Sequence, residues 1–265
     1  MSAGVVDPCR VPDSQAFSRF EALRDEFRSR VGLWSSSLPG LAEAQRELAR
    51  EAGDVYSIET PVVYNRALDD VLPGEAIQWI VVADNPGKRE QEAGMNRYLV
   101  GRSGLAAERF FARELGVDFR RQALIINKTP VHTPKTVQLR KLVRLYPEAK
   151  PVVEESQRFM AALVPALQEC FHANVWVMGL SELRPGGLFE PWRLALADAY
   201  DRAGGAENGG RLAGMVYGFN HFSMGSFATD LARRRRAGES VRDATLRIGA
   251  ENRLRLLPDR PIADA

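Results

Sequence analysis

The chain predicts a three-layer α/β/α fold around a four-stranded, mainly parallel central sheet. Short apolar runs at about 76–83, 122–126, 174–178 and 213–218 lack polar alternation, as strands buried on both faces do. Helical patterns separate these runs, and that alternation argues for parallel strands with helices on both sides. Three of the runs end in polar side chains, at Asp84-Asn85-Pro86-Gly87, at Asn127 and at Asn220-His221. Right-handed crossovers place all strand carboxyl ends on one edge, where α/β proteins present reactive groups.

Taken in order, residues 1–13 read as an irregular arm. Asp13 or Ser14 caps a helix with Phe17, Phe20, Leu23, Phe27 and Val31 on one face. The stretch from Gly32 to Gly40 is expected to break it, and a second helix runs from about Leu41 to Ala52. This pair is too small to hide its apolar face alone, so residues 1–55 are expected to pack on a main domain spanning 56–265. An extended piece and loop at 55–74 lead into the first strand. The polar, glycine-bearing stretch 84–104 is longer than a simple turn and is a candidate functional loop. A helix follows at about 105–115, then the second strand, helices near 136–145 and 152–170, and the third strand. A helix at about 189–201 precedes a glycine-marked stretch, Gly204 to Gly210, read as a mobile loop. The fourth strand leads past His221 to a helix from about Ser226 through Arg233-Arg234-Arg235-Arg236, and a last helix spans about 240–252.

At 265 residues, 45% apolar and 26% charged, the composition is that of a globular protein with a sizeable core. Net charge is +2, but residues 211–260 hold ten Arg against five Asp and Glu. That excess is either a solvated helix face or a phosphate-contacting surface. Cys9 and Cys170 cannot build a four-cysteine metal or iron–sulfur site, and Cys170 falls on the apolar face of its helix. Neither a secretory leader nor a run of about 18 apolar residues is present, so a cytoplasmic protein is expected.

Several chemistries are excluded. G-x-G-x-x-G, G-x-x-x-x-G-K-[ST] and G-x-S-x-G are all absent. The three histidines, His132, His172 and His221, have no ligand partner at helical metal spacing. His172 reads as a helix-end residue, and His132 as a loop-packing residue or a substrate contact. No metal and no cofactor is expected.

The three strand ends, in this order, resemble the uracil-DNA glycosylase superfamily. Ala83-Asp84-Asn85-Pro86-Gly87 is similar to its water-positioning turn, with Asn85 at the Asp/Asn position. Arg97-Tyr98-Leu99-Val100-Gly101-Arg102-Ser103-Gly104 resembles the element whose Phe stacks on a flipped base. Leu99 stands in that place, and Tyr98 is the alternative stacking group. Asn127 matches the base-reading Asn, and His221-Phe222-Ser223 stands where the family has H-P-S. Val62-Val63-Tyr64-Asn65 is similar to a segment of the single-strand-selective enzymes. The resemblance covers about residues 60–235 and lies nearest the mismatch-specific and single-strand-selective branches.

It implies a monofunctional DNA glycosylase that removes uracil or a related deaminated or mismatched base and acts as a monomer on DNA. Asn85, with Asp84, holds the attacking water, and His221 donates to the base oxygen where negative charge develops. Asn127 reads the base edge through its amide. Gly87, where the strict uracil enzymes carry an aromatic wall, leaves room for larger bases. Gly101 belongs to the base-flanking element, Ser223 grips a phosphate, and Phe222 or Met224 fills the vacated stack. Arg233, Arg234, Arg235 and Arg236 contact flanking phosphates. Each motif alone also has a plain structural reading as a turn, a loop or core. Two other functions stay open: a nucleic-acid-binding member without base release, motivated by Leu99 and Phe222, and a hydrolase of free nucleosides or nucleotides.

Overall fold

A computed structural model describes residues 11–203 and 205–257, except the side chains of residues 205–208. Most of the expected N-terminal arm, Cys9 and Gly204 lie outside the described residues. The fold is α/β, with four parallel strands flanked by helices on both faces. The strands are β1 (Trp79–Ala83), β2 (Ala123–Asn127), β3 (Asn174–Met178) and β4 (Val216–Phe219), in the order β2-β1-β3-β4. Ala83 pairs with Asn127, Val82 with both Ile126 and Val177, and Met178 with Phe219.

Alternate strand residues feed two separate cores, as the period of two requires. Ile80, Val82, Ile126, Val175 and Val177 face one cluster. It is completed by α1 (Ser14–Ser37), α2 (Leu41–Glu51), α5 (Thr136–Leu145), α6 (Ala149–Phe171) and α7 (Glu190–Arg202). Trp79, Val81, Ala83, Ile125, Trp176, Met178 and Phe219 face the other. That side is closed by α3 (Arg102–Phe110), α4 (Phe119–Gln122) and α9 (Ser226–Arg234). A further helix, α10 (Val241–Arg253), packs along β4. Both ends of the second cluster are aromatic. Phe111 lies 4.8 Å from both Phe119 and Trp176, and Phe222 lies 4.5 Å from Phe227.

The amino-terminal helices belong to this body. Phe20 and Phe27 are fully buried, and the Phe20 ring meets Phe171 of α6 at 5.1 Å. A ring buried this way contributes about 1.5–3 kcal/mol. Among the described residues no helix is long and apolar enough to cross a membrane.

Beyond short helical turns at Arg66–Asp70 and Phe119–Gln122 and later starts of β1 and β4, three departures from the sequence expectation stand out. Helix α1 continues through Gly32 to Ser37. A helical glycine costs only about 1 kcal/mol, and the burial of Val31 and Trp34 on either side outweighs it. Ser36 and Ser37 then donate back to the carbonyls of Leu33 and Trp34 instead of breaking the helix. The glycine-marked stretch expected to be a loop forms α8 (Gly205–Gly214). Gly209 lies so close to the Tyr200 carbonyl of α7 that any Cβ would collide with it, so this glycine serves helix contact. The third departure is α3, which starts at Arg102 and ends in one π-helical turn, Phe111–Leu115.

Candidate active site

From β1 the chain moves to β2 on one side, and from β3 to β4 on the other. The carboxyl ends of β1 and β3 therefore flank the crevice where ligands of open α/β sheets bind. Asp84, the first residue past β1, lies in it. Oδ1 pairs with Nζ of Lys128 at 2.5 Å, and Oδ2 accepts from Thr136 Oγ1 at 3.3 Å. The first residue past β3 is Gly179, in left-handed backbone at φ 78. A Cβ there would run into the Asp84 carboxylate, so this position needs glycine for both reasons.

Lys128 is the notable neighbour. It follows Asn127 at the end of β2 and is 0% exposed. Its Nζ also donates to the Met178 carbonyl, and lies 5.0 Å from the Phe189 ring centre and 5.8 Å from that of Trp192. Burial pushes the Lys128 ammonium below its usual range, while Asp84 pulls the other way.

Asn85 is held by Thr133. Its Nδ2 donates to Thr133 Oγ1 at 2.9 Å and to the Thr133 carbonyl at 3.2 Å. A carbonyl can only accept, so the network sets which way the amide points and leaves Oδ1 as its acceptor. The turn is braced from behind. His132 Nδ1 donates to the Pro86 carbonyl at 2.8 Å, and Nε2 accepts from the Tyr56 hydroxyl at 2.8 Å. Gln45 of α2 reaches the His132 carbonyl at 2.8 Å. Burial pushes the His132 pKa down to about 4, so the ring is neutral at physiological pH. His132 is thus a brace for the Asp84–Gly87 turn and is fully buried.

His221 stands across the cleft, two residues past β4. The Ser223 backbone N–H donates to its Nδ1 at 3.1 Å, which places the proton of the neutral ring on Nε2. Burial is the main cause of a pKa below the ordinary histidine range. Asp84 opposes the shift and Lys128 adds to it.

Asp84, Asn85, Gly87, Leu99, Gly101, His221, Ser223 and Met224 all line one cleft of about 540 Å³. Asn127 is not among its lining residues. Pairing with Ala83 sets it on the face that carries Ile125, where it is 1% exposed with neither side-chain Oδ1 nor Nδ2 hydrogen-bonded. Such a double orphan costs several kcal/mol unless something occupies it. Tyr98 does not stack in the cleft: it is buried, and its hydroxyl donates to the Val63 carbonyl at 2.5 Å. Leu99 is the side chain that reaches the cleft, from left-handed backbone at φ 52. Arg120 holds that strained residue by donating to its carbonyl at 2.5 Å. Beside Gly87 is a neighbour that sequence reasoning missed, Glu90, whose Oε1 would lie 3.8 Å from a Cβ at that glycine. The Glu90 carboxylate accepts from the backbone N–H groups of Gly87 and Leu99, and burial pushes its pKa up to about 7.

The expected DNA-contacting residues separate into two groups. Phe222 is unavailable as a wedge, because it is buried against Phe110 and Phe227. Met224 is 100% exposed at the cleft rim, in left-handed backbone at φ 53. Within the arginine run, Arg234 pairs with Asp230 and Glu251, and Arg235 donates to the Glu239 carbonyl. Arg234 joins α9 to α10, and Arg235, itself exposed, bonds the turn between them. Arg233 pairs with Asp230 but is 75% exposed, and Arg236 is exposed. None of the four lines the cleft. Its basic rim comes instead from Lys88, which is paired with Asp54, and from Arg89, Arg102 and Lys135. These come from three separate segments, so no long charge run marks them in the sequence.

A second cavity, about 480 Å³, lies at the β2 edge, and its three arginines are already paired, Arg97 with Asp70, Arg120 with Glu108 and Arg121 with Glu75. Among the described residues no cluster of three His, Cys, Asp or Glu is placed to hold a metal ion. The chain matches no protein-family model, and no curated protein matches it.

Proposed function

We propose that this chain is a monofunctional DNA glycosylase of the uracil-DNA glycosylase type, acting on uracil or a related deaminated or mismatched base. The observation that carries the reading is the meeting of Asp84, Asn85 and neutral His221 in one cleft at the crevice between β1 and β3. Breaking an N-glycosidic bond leaves positive charge on the sugar and sends the bonding electrons out with the base. An acceptor at Asn85 Oδ1 orients water toward the sugar carbon. The Asp84 carboxylate faces the developing cation. The proton on His221 Nε2 is a hydrogen-bond donor for the base oxygen, and one such preorganised donor is worth roughly 2.7–4 kcal/mol. Water adds to the sugar, its proton passes to a base or to solvent, and the released base takes up a proton.

The surroundings suit a polymer. Met224 is a large apolar side chain held out at the rim, as a wedge for the vacated stack needs to be. Arg89, Arg102 and Lys135 supply cations for backbone phosphates, while Lys88 at the same rim is paired with Asp54. The orphaned Asn127 amide suits a base edge, with one acceptor and one donor group waiting. Reading it requires the wall beside Ala83 to open, and strained Leu99, in the same apolar cluster, is the segment we assign to that movement. The space beside Gly87 ends at the Glu90 carboxyl instead of an aromatic ring, which favours bases bearing a 5-substituent or an extra polar group.

The test is release of free base from oligonucleotides carrying uracil, a thymine mismatch, hypoxanthine or xanthine, in single and double strands. Release from at least one is expected. No release from any of them by folded protein contradicts the reading. One observation favours a second reading, nucleic-acid binding without base release: Asn127 is sealed from the cleft. Salt-sensitive oligonucleotide binding with no free base identifies that case.

A further inference from the structure

We propose that Lys128 is a positioning residue: from inside the core it holds the Asp84 carboxylate in the crevice between β1 and β3 and supplies the positive charge felt by both Asp84 and His221. The side chain leaves the end of β2, passes the end of β1 and bonds the last carbonyl of β3, so one ammonium ties three strand ends together. Packing alone does not account for it. Burying an ammonium completely costs several kcal/mol, and an apolar chain of the same length would fill the slot beside Phe189 and Trp192 without that cost. The ammonium is fully bonded in place, by a carboxylate oxygen, a carbonyl and an aromatic face.

Lys128 does not line the cleft, so it touches no substrate and acts through its neighbours. With Oδ1 taken by Lys128 and Gly179 pressed against the carboxylate, Asp84 has no room to rotate away. Its other oxygen is left beside Thr136, itself a cleft residue. The ion pair is therefore oriented with its negative end toward the cleft. Across the cleft, the charged groups acting on His221 are Asp84 and Lys128, with opposite effect, and Lys128 favours the neutral ring. The neutral ring leaves Nδ1 free to accept from the Ser223 N–H, which fixes Nε2–H as the donor toward the cleft.

The inference deepens the glycosylase reading, and two independent readouts separate the two. Variants Lys128→Met, Asp84→Asn and the double variant are compared with the full-length wild type. The first readout is the NMR titration of the His221 ring in protein alone. Loss of Lys128 is expected to move that titration upward, whereas a folded Lys128→Met protein with an unmoved His221 overturns the proposal. The second is single-turnover base release. Lys128→Met is expected to slow it about 100-fold, the scale of a misplaced catalytic group. Because Lys128 acts through Asp84, the double variant is expected to be no slower than Asp84→Asn. Full additivity, the mark of a merely structural lysine, overturns the proposal. If Lys128→Met fails to fold, the double variant, which buries no unpaired charge, gives the same comparison with Asp84→Asn. If the wild type releases no base, the glycosylase reading falls and Lys128 is judged on the His221 titration alone.

Discussion

The two sides of the cleft are built differently. On the β1–β2 side each group is held by several bonds: Asp84 by buried Lys128 and by Thr136 of the cleft wall, Asn85 by Thr133, and their turn from behind by His132, itself held by Tyr56 and Gln45. On the β4 side, the His221 ring receives one backbone N–H while its carbonyl accepts from the Phe227 N–H and the Ser226 hydroxyl, and the segment between runs through fully exposed Met224 into Gly225, both in left-handed backbone. In the proposed reaction the first side is a rigid seat for water and charge, and the second is an exposed edge that would meet the polymer and carries a single preset donor. On that reading positional accuracy is concentrated where the bond would break, and exposure where a large substrate would enter.

Substitutions on the two sides should therefore fail in different ways. The largest effect is expected for His221→Ala, which removes the donor. Base release should fall roughly 100–1,000-fold with little change in melting temperature, since the ring makes one hydrogen bond. A similar loss of stability and rate together would show that the β4 side is as structural as the other.

His132 breaks the comparison from the rigid side. Its folded pKa of about 4 lies below the ordinary histidine value, so the unfolded chain binds the extra proton first. The stability it contributes is full above about pH 6.5 and is lost as pH falls toward 4, by roughly 3 kcal/mol in all. Denaturant unfolding across that range should show the slope in the wild type and a flatter one in His132→Gln. Glu90 has the opposite sign. Its folded pKa of about 7 is raised, so stability should decline as pH rises from about 4.5 to 7, and Glu90→Gln should remove that decline.

Met224 sharpens the other side. Relief of its left-handed backbone should make Met224→Gly more stable by about 0.5–1 kcal/mol, net of the entropy glycine adds to the unfolded chain. The same variant should lose base release on duplex more than on single strand, because the wedge is gone. The smallest effect is expected in salt dependence. Arg102→Ala, at the cleft rim, should lower the slope of log affinity against log salt by about 0.9 if it contacts one phosphate. Arg234→Ala, bonded between α9 and α10, should leave the slope unchanged and cost stability instead.

The framework was legible in one dimension because buried strands read as apolar runs and turns as Gly, Pro and Asn. Asp84, Asn85 and His221 were legible for the same reason: they sit at strand ends, and the parallel topology delivers strand ends to one edge. What could not be read depends on packing between distant segments. Lys128 looks like a solvated lysine in a Pro-rich loop until Gly179, Phe189 and Trp192 are brought around it. Glu90 reads as one more charge in a polar stretch, yet its carboxyl caps two backbone amides beside the cleft. The choice of Leu99 over Tyr98 turns on one left-handed residue, and that of Met224 over Phe222 on an aromatic cluster assembled from α3 and α9. That the arginine run lies away from the cleft, with Arg233 and Arg234 on Asp230, Arg234 also on Glu251 and Arg235 on the Glu239 carbonyl, depends on the same packing between segments.

Single-turnover base release by Asn85→Ala and His221→Ala, on whichever lesion the wild type processes fastest, tests most directly whether the two sides act on one substrate. Both variants are expected to remain folded and to lose about 100-fold or more in rate. Both retaining the wild-type rate would contradict the assignment of this cleft as the active site.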